Sequence, residues 1–72
     1  MKGRQIRPGM GFLYKRFNYD LIIGVERYAP DVAYVYRMEF VVHENKLQFD
    51  GTTRWRVFLD DPVYVGWTLL TC

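Results

Sequence analysis

The feature that most constrains the fold is the run from Val32 to His43, in which side chains alternate with a period of two. In an extended chain the two faces of this run would hold Tyr34, Tyr36, Met38, Phe40 and Val42, and Val35, Arg37, Glu39 and Val41. Both faces carry apolar residues, and a strand partly buried on both faces usually bends and serves two halves of a small barrel. β-branched and aromatic residues at this period argue against a helix here.

The remaining chain divides into shorter segments of the same kind, separated by turn residues. We predict strands over Met10 to Phe17, Tyr19 to Tyr28, Val32 to His43, Lys46 to Phe49, Thr53 to Leu59 and Val63 to Leu70. The predicted turns are Ala29-Pro30-Asp31, Glu44-Asn45 and Asp50-Gly51, and Asp60-Asp61-Pro62 is predicted to break the chain. Asp50-Gly51 is a strong hairpin signal because type I′ turns require positive φ.

The alternation also predicts which side chains share a face. Leu21, Ile23 and Val25 should lie on one face of their strand. In the last strand the residues predicted to share the face that contains Trp67 are Val63, Val65 and Leu69. Trp67 is therefore expected in the core.

Five or six short strands in 72 residues predict an all-β fold, either a small SH3-like barrel or a rolled antiparallel sheet. An OB-like barrel is the alternative. Residues 1–8 are predicted to be a flexible basic arm, and residues 9–72 a single small domain. The segment from Tyr14 to Val25, which precedes the Pro30-Asp31 turn, resembles the opening hairpin of SH3-like modules of the hemimethylated-DNA-binding type. That resemblance implies the barrel architecture, and we transfer no function from it.

The residue content argues against an enzyme. The chain has no serine, and its one cysteine, Cys72, is the last residue, so a nucleophile beside a base is not apparent. With His43 as the one histidine, the sequence lacks the spacing of a metal site. We therefore predict a non-enzymatic protein without cofactor or metal.

A cytoplasmic location without membrane association is predicted. A lone cysteine fits a reducing compartment, and no apolar segment follows the first basic residues as in a signal peptide. The longest uncharged stretch, 62–72, is too short to span a membrane.

The charge distribution keeps nucleic-acid binding open as the alternative function. Residues 1–16 hold five basic and no acidic residues, whereas residues 17–72 hold five basic and eight acidic ones. Arg54 and Arg56 should share a strand face, about 7 Å apart, and Lys15, Arg16 and the arm could extend that basic patch.

Docking on a protein partner is the preferred function, because exposed Tyr and Arg together are typical of binding hot spots. The candidate partner-binding residues are Tyr14, Lys15, Arg16, Tyr28, Arg54, Arg56 and Tyr64. The Tyr34-Tyr36-Met38-Phe40 stripe fits either a core or an exposed patch, and the need of so short a barrel for large internal rings favours the core. Small size suits a phage or mobile-element protein that acts on a host target, and a homo-oligomer could form through a sheet edge.

Overall fold

The computed structural model describes residues 1–71, which form five β-strands and one short 3₁₀ turn. The strands are β1 (Gly11–Tyr14), β2 (Asn18–Ala29), β3 (Val32–His43), β4 (Lys46–Phe58) and β5 (Thr68–Thr71), and the 3₁₀ turn is Gly3–Gln5. Cys72 lies outside the described residues. The all-β prediction is confirmed, and the predicted bounds of β3 are correct at both ends.

All five strands belong to one antiparallel sheet in the order β4-β3-β2-β1-β5. The long strands β2, β3 and β4 follow one another as hairpins, whereas β5 returns to the beginning of the chain and pairs with β1. The predicted rolled antiparallel sheet is therefore confirmed. The sheet is not closed, because within residues 1–71 its two edge strands, β4 and β5, do not pair with each other.

The hairpin predicted at Asp50-Gly51 is wrong, because this dipeptide lies inside β4. Phe49 pairs with Phe40 and Gly51 pairs with Glu39, so Asp50 is an extra residue without a partner on β3. This arrangement is a β-bulge. Gly51 has the predicted positive φ, at 144°, but in the bulge instead of a turn.

Glu44 and Asn45 make the turn between β3 and β4, as predicted. Their φ angles are 52° and 63°, and His43 pairs with Lys46 across them, as in a two-residue type I′ loop. Because this turn already joins two long strands, the chain continues through residues 50–51 without reversing. A bulge and a turn need similar backbone freedom, so the Asp-Gly pair alone does not distinguish them.

A second bulge, in β2, changes the predicted faces. Ile22 pairs with Arg37 and Gly24 with Tyr36, which leaves Ile23 as the extra residue. Ile22 is consequently buried, whereas Ile23 is 47% exposed. The prediction that Leu21, Ile23 and Val25 share a face is wrong, because the bulge moves the following residues to the opposite face.

The last strand is much shorter than predicted. Tyr64 and Gly66 have φ angles of 54° and 84°, so the chain turns there and β5 begins only at Thr68. Val63 is buried while Val65 is 75% exposed, so these residues do not share a core face. Trp67 is half-buried and packs against the edge of the core.

Residues 1–8, predicted to be a flexible arm, are packed against the sheet. The amide of Arg4 donates to the carbonyl of Leu59 at 2.8 Å, and the Arg4 side chain pairs with Asp60. Gly3 and Ile6 are buried. The basic start of the chain is therefore part of the domain.

The core lies on one side of the sheet, which we call the inner face. Its strand residues come from β1 to β4, and the segments on either side of the strands cover them. The buried apolar residues are Ile6, Met10, Phe12, Ile22, Ala33, Val35, Val57, Leu59 and Val63. Full burial of a side chain of this size contributes about 1.5–3 kcal/mol, so this small cluster is the main stabilising element of the fold.

Candidate functional site

The opposite side of the sheet, which we call the outer face, carries the aromatic stripe of β3. Ala33 and Val35 point into the core, so their even-numbered neighbours Tyr34 and Tyr36 point outward. Tyr34, Tyr36, Met38 and Phe40 are all half-buried, and none belongs to the buried core. The preference for a core position of this stripe is therefore wrong, because the stripe lies on the face opposite the core, where its rings stay partly exposed.

Two arginines of β4 lie beside the stripe. Arg54 pairs with Tyr36 and Arg56 with Tyr34 across the β3–β4 ladder. The Arg54 guanidinium does not stay above its own partner but lies over the Tyr34 ring, with Cζ 4.5 Å from the ring centroid. This contact is a cation–π interaction, and it holds a basic group and an aromatic ring together in one orientation.

The remaining contacts on the outer face order the rings around this pair. Tyr28, at the end of β2, meets Tyr34 edge-on with centroids 5.3 Å apart. The Tyr36 hydroxyl donates to Glu26 Oε1 at 3.3 Å. A second ring group lies further along the strands, where Phe40 contacts Tyr19 at 5.9 Å and Phe49 at 5.7 Å.

A shallow cavity opens between the second bulge and β4. Its volume is about 370 Å³, and it is lined by Ile23, Tyr36, Thr52, Thr53 and Arg54. Gly24, which pairs with Tyr36, has no side chain to pack against that ring. The cavity is mostly apolar and Arg54 is the one charged residue in its lining, which suits an apolar side chain next to an acidic one.

The structure brings together three of the predicted partner-binding residues. Tyr28, Arg54 and Arg56 all lie on the outer face, and Tyr28 is 69% exposed. Sequence reasoning did not assign Tyr34, Tyr36 and Ile23 to the site. The stripe itself was visible in the sequence, but which side of the sheet is covered depends on the segments outside the strands.

Lys15 and Arg16 are exposed but lie apart from this group. They form the turn between β1 and β2, and the start of β2 pairs with Val41, whereas Arg54 pairs with Tyr36. Positions 36 and 41 of one strand are about 17 Å apart at 3.3 Å per residue. The predicted patch is therefore divided into two basic regions, and the arm is not between them because Arg4 pairs with Asp60.

Tyr14 and Tyr64, two further candidate partner-binding residues, are half-buried in a ring cluster. Tyr14 packs on Trp67 with centroids 5.2 Å apart. Tyr64 stacks in parallel on Phe12 at 3.9 Å and meets Trp67 edge-on. These two tyrosines therefore do not join the outer-face group, since the turn around Tyr64 folds its ring back onto the sheet.

A small polar cluster lies next to these rings on the inner face. The Tyr64 hydroxyl donates to Asp20 Oδ2 at 2.9 Å, and Arg37 Nη1 is 3.4 Å from the same oxygen. Burial raises the pKa of Asp20, although Tyr64 and Arg37 act in the opposite direction. Burial also raises the pKa of Tyr64. Arg37 further donates to Thr53 and stacks over Trp55, so every member of the cluster has a partner inside the domain.

The described residues contain neither a metal cluster nor a membrane-spanning helix. Within residues 1–71, no three metal-ligating side chains lie close enough to hold an ion. No helix in that part of the chain has the length and apolar character needed to cross a membrane. Comparison of the chain with family models, with curated proteins and with solved structures found no match.

Proposed function

We propose that this chain is a non-enzymatic binding module that docks on a protein partner through the outer face of its sheet. The observation that carries the proposal is the Arg54–Tyr34 pair, a guanidinium ordered over a ring on a face that no other part of residues 1–71 covers. Interface hot spots are enriched in Tyr and Arg. A cytoplasmic location, supported by the single cysteine, and a host target of a phage or mobile element are part of this proposal.

The energetics of the outer face favour a partner that covers it. Half-exposed Tyr36, Met38 and Phe40 keep apolar area in contact with water, and its removal is worth about 25 cal/mol for each Å². The contacts of Arg54 and Tyr36 already restrict their rotamers, so less side-chain entropy is lost on binding.

Nucleic-acid binding is the alternative, and one observation supports it. Proteins that bind single-stranded nucleic acid stack bases on aromatic rings and contact phosphates with basic residues. The outer face offers both, in Tyr34 and Tyr36 beside Arg54 and Arg56. The separation of the basic residues into two regions argues against nucleic-acid binding. Lys15 lies far along the sheet from Arg54, so the two regions would contact fewer phosphates of one strand together.

Site-specific photocrosslinking tests the proposal. Tyr36 is replaced by p-benzoyl-phenylalanine, and the variant is irradiated in a lysate of the cells that produce the protein, with and without nuclease. We expect a protein adduct that resists nuclease and is lost when Arg54→Glu is added. The control places the same photoreactive residue at Val65, which is exposed outside the outer face. Loss of the adduct after nuclease, or equal adducts at both positions, would contradict protein docking.

A further inference from the structure

The outer edge of β4 is a second unpartnered surface, and it adjoins the outer face. Over residues 46–57 the backbone pairs only with β3 within the described chain, so every second N–H and C=O points away from the sheet. A free strand edge of this length can pair with another extended chain, which then continues the sheet.

The side chains along this edge indicate what an added strand would carry. On the outer face its neighbours would be Arg54 and Arg56, about 7 Å apart along β4. On the inner face its neighbour would be the half-buried ring of Trp55. Because side chains of a strand alternate between faces, acidic residues would lie beside the two arginines and apolar residues beside Trp55.

We infer that the edge of β4 over residues 51–57 binds, as an added strand, a partner segment in which acidic and apolar residues alternate. This inference rests on the proposed function, in which the partner is a protein, and it specifies the conformation and chemistry of the bound segment. The cavity beside Arg54 and Thr53 adjoins the same stretch of β4 and offers space to a side chain of that segment.

A second copy of this chain fits the edge less well than an acidic segment. The regular part of β4 after the bulge is centred near Trp55, and antiparallel pairing of two copies about that residue would place Arg54 opposite Arg56 in both halves. Like charges directly opposite one another destabilise a sheet. The bulge at Asp50 also interrupts any longer pairing of two copies.

The test uses a fluorescein-labelled octapeptide of alternating Val and Glu, titrated with the full chain by fluorescence anisotropy at about 50 mM salt. Three peptides serve as controls: alternating Val and Lys, four Val followed by four Glu, and the first peptide with its four central amides N-methylated. We expect binding of the first peptide alone, since the controls remove the charge match, the alternation or the backbone hydrogen bonds.

Reversing the charge of the two arginines distinguishes a loss of charge recognition from a variant that simply does not fold. Arg54→Glu with Arg56→Glu should weaken binding of the Val-Glu peptide roughly tenfold and create binding of the Val-Lys peptide. Both arginines are exposed, so the variant should keep its circular dichroism spectrum. The matched variant, Lys15→Glu with Arg16→Glu, should bind the Val-Glu peptide as the original chain does.

Each contrary result identifies what has failed. Two results would overturn strand addition of a partner at β4. These are equal binding of the N-methylated peptide and no binding of the Val-Glu peptide. Neither result affects nuclease-resistant crosslinking at Tyr36, which alone decides whether a protein docks on the outer face.

Discussion

Arg54 lies over the ring of Tyr34, although the backbone register places it opposite Tyr36. Tyr34 lies two residues along β3 from Tyr36, and a long arginine side chain can reach such a diagonal neighbour. It leaves the Tyr36 ring beside the cavity and its hydroxyl bonded to Glu26. Tyr34 is therefore covered by a guanidinium, whereas Tyr36 is held by a carboxylate.

Removal of the Arg54–Tyr34 contact should reduce partner binding strongly and the stability of the fold only slightly. Arg54→Ala loses an exposed cation–π interaction, so the free energy of unfolding should fall by about 0.5–1 kcal/mol. Crosslinking from position 36 should fall much more strongly. Urea unfolding and crosslinking are measured together, with Arg16→Ala as an exposed control that should change neither. A loss of several kcal/mol would indicate that Arg54 is mainly structural.

Gly3→Ala should destabilise the domain by about 1–3 kcal/mol, because a methyl group cannot be accommodated there. A Cβ at this position would be 2.5 Å from the carbonyl oxygen of Phe58. Thermal unfolding of this variant is compared with that of Arg7→Ala, which changes an exposed side chain in the same segment. If both variants melt like the original chain, residues 1–8 are a free arm as first predicted.

Two substitutions test whether the chain turns before β5. The alternation pattern places Val65 and Trp67 on one face of a strand, whereas the structure buries only Trp67 in part. Trp67→Ala should cost about 2–4 kcal/mol because its ring packs against Tyr14 and Tyr64. Val65→Ala should change stability by less than about 0.5 kcal/mol, since Val65 is mostly exposed. Comparable losses in urea unfolding would mean that both side chains share one core face in a longer strand.

Glu44→Asn should stabilise the β3–β4 hairpin by about 0.5–1 kcal/mol. Glu44 has a φ of 52°, a conformation that Asn adopts at lower cost than Glu. The same substitution at Glu26, which lies within a regular part of β2, should not stabilise the domain. Equilibrium unfolding in urea measures both, and a destabilised Glu44→Asn variant would exclude the type I′ turn.

The buried carboxyl of Asp20 predicts a pH dependence of stability. Because burial raises its pKa in the folded chain above 3.8, the folded state holds the proton more tightly than the unfolded state. This group therefore favours folding at low pH, and that contribution is lost as the pH rises from 3.8 through the raised folded value. The difference in unfolding free energy between the original chain and Asp20→Asn should decrease over this window.

Urea unfolding at several pH values measures this difference. Tyr64→Phe provides the comparison, because the Tyr64 hydroxyl lowers the pKa of Asp20 and its removal should extend the window to higher pH. Identical pH profiles for the original chain and Asp20→Asn would show that Asp20 titrates alike in both states.

Local residue patterns were enough to predict the class of fold and its most regular parts. β3 begins and ends where the alternation predicts, and Glu44-Asn45 turns the chain where predicted. These features are local, because strand periodicity and turn preference depend on neighbouring residues. Arg54 and Arg56 were also placed correctly on one face, since both follow the bulge in β4.

Which side of each strand is covered, and hence where the candidate site lies, depends on long-range pairing and packing. The extra residues Ile23 and Asp50 shift the register of β2 and β4, and such bulges follow from pairing with β3, which the alternation within one strand does not report. Ile6 and Leu59 cover the inner face from outside the strands. The stripe of β3 stays outside the core because the small core is filled from the opposite side.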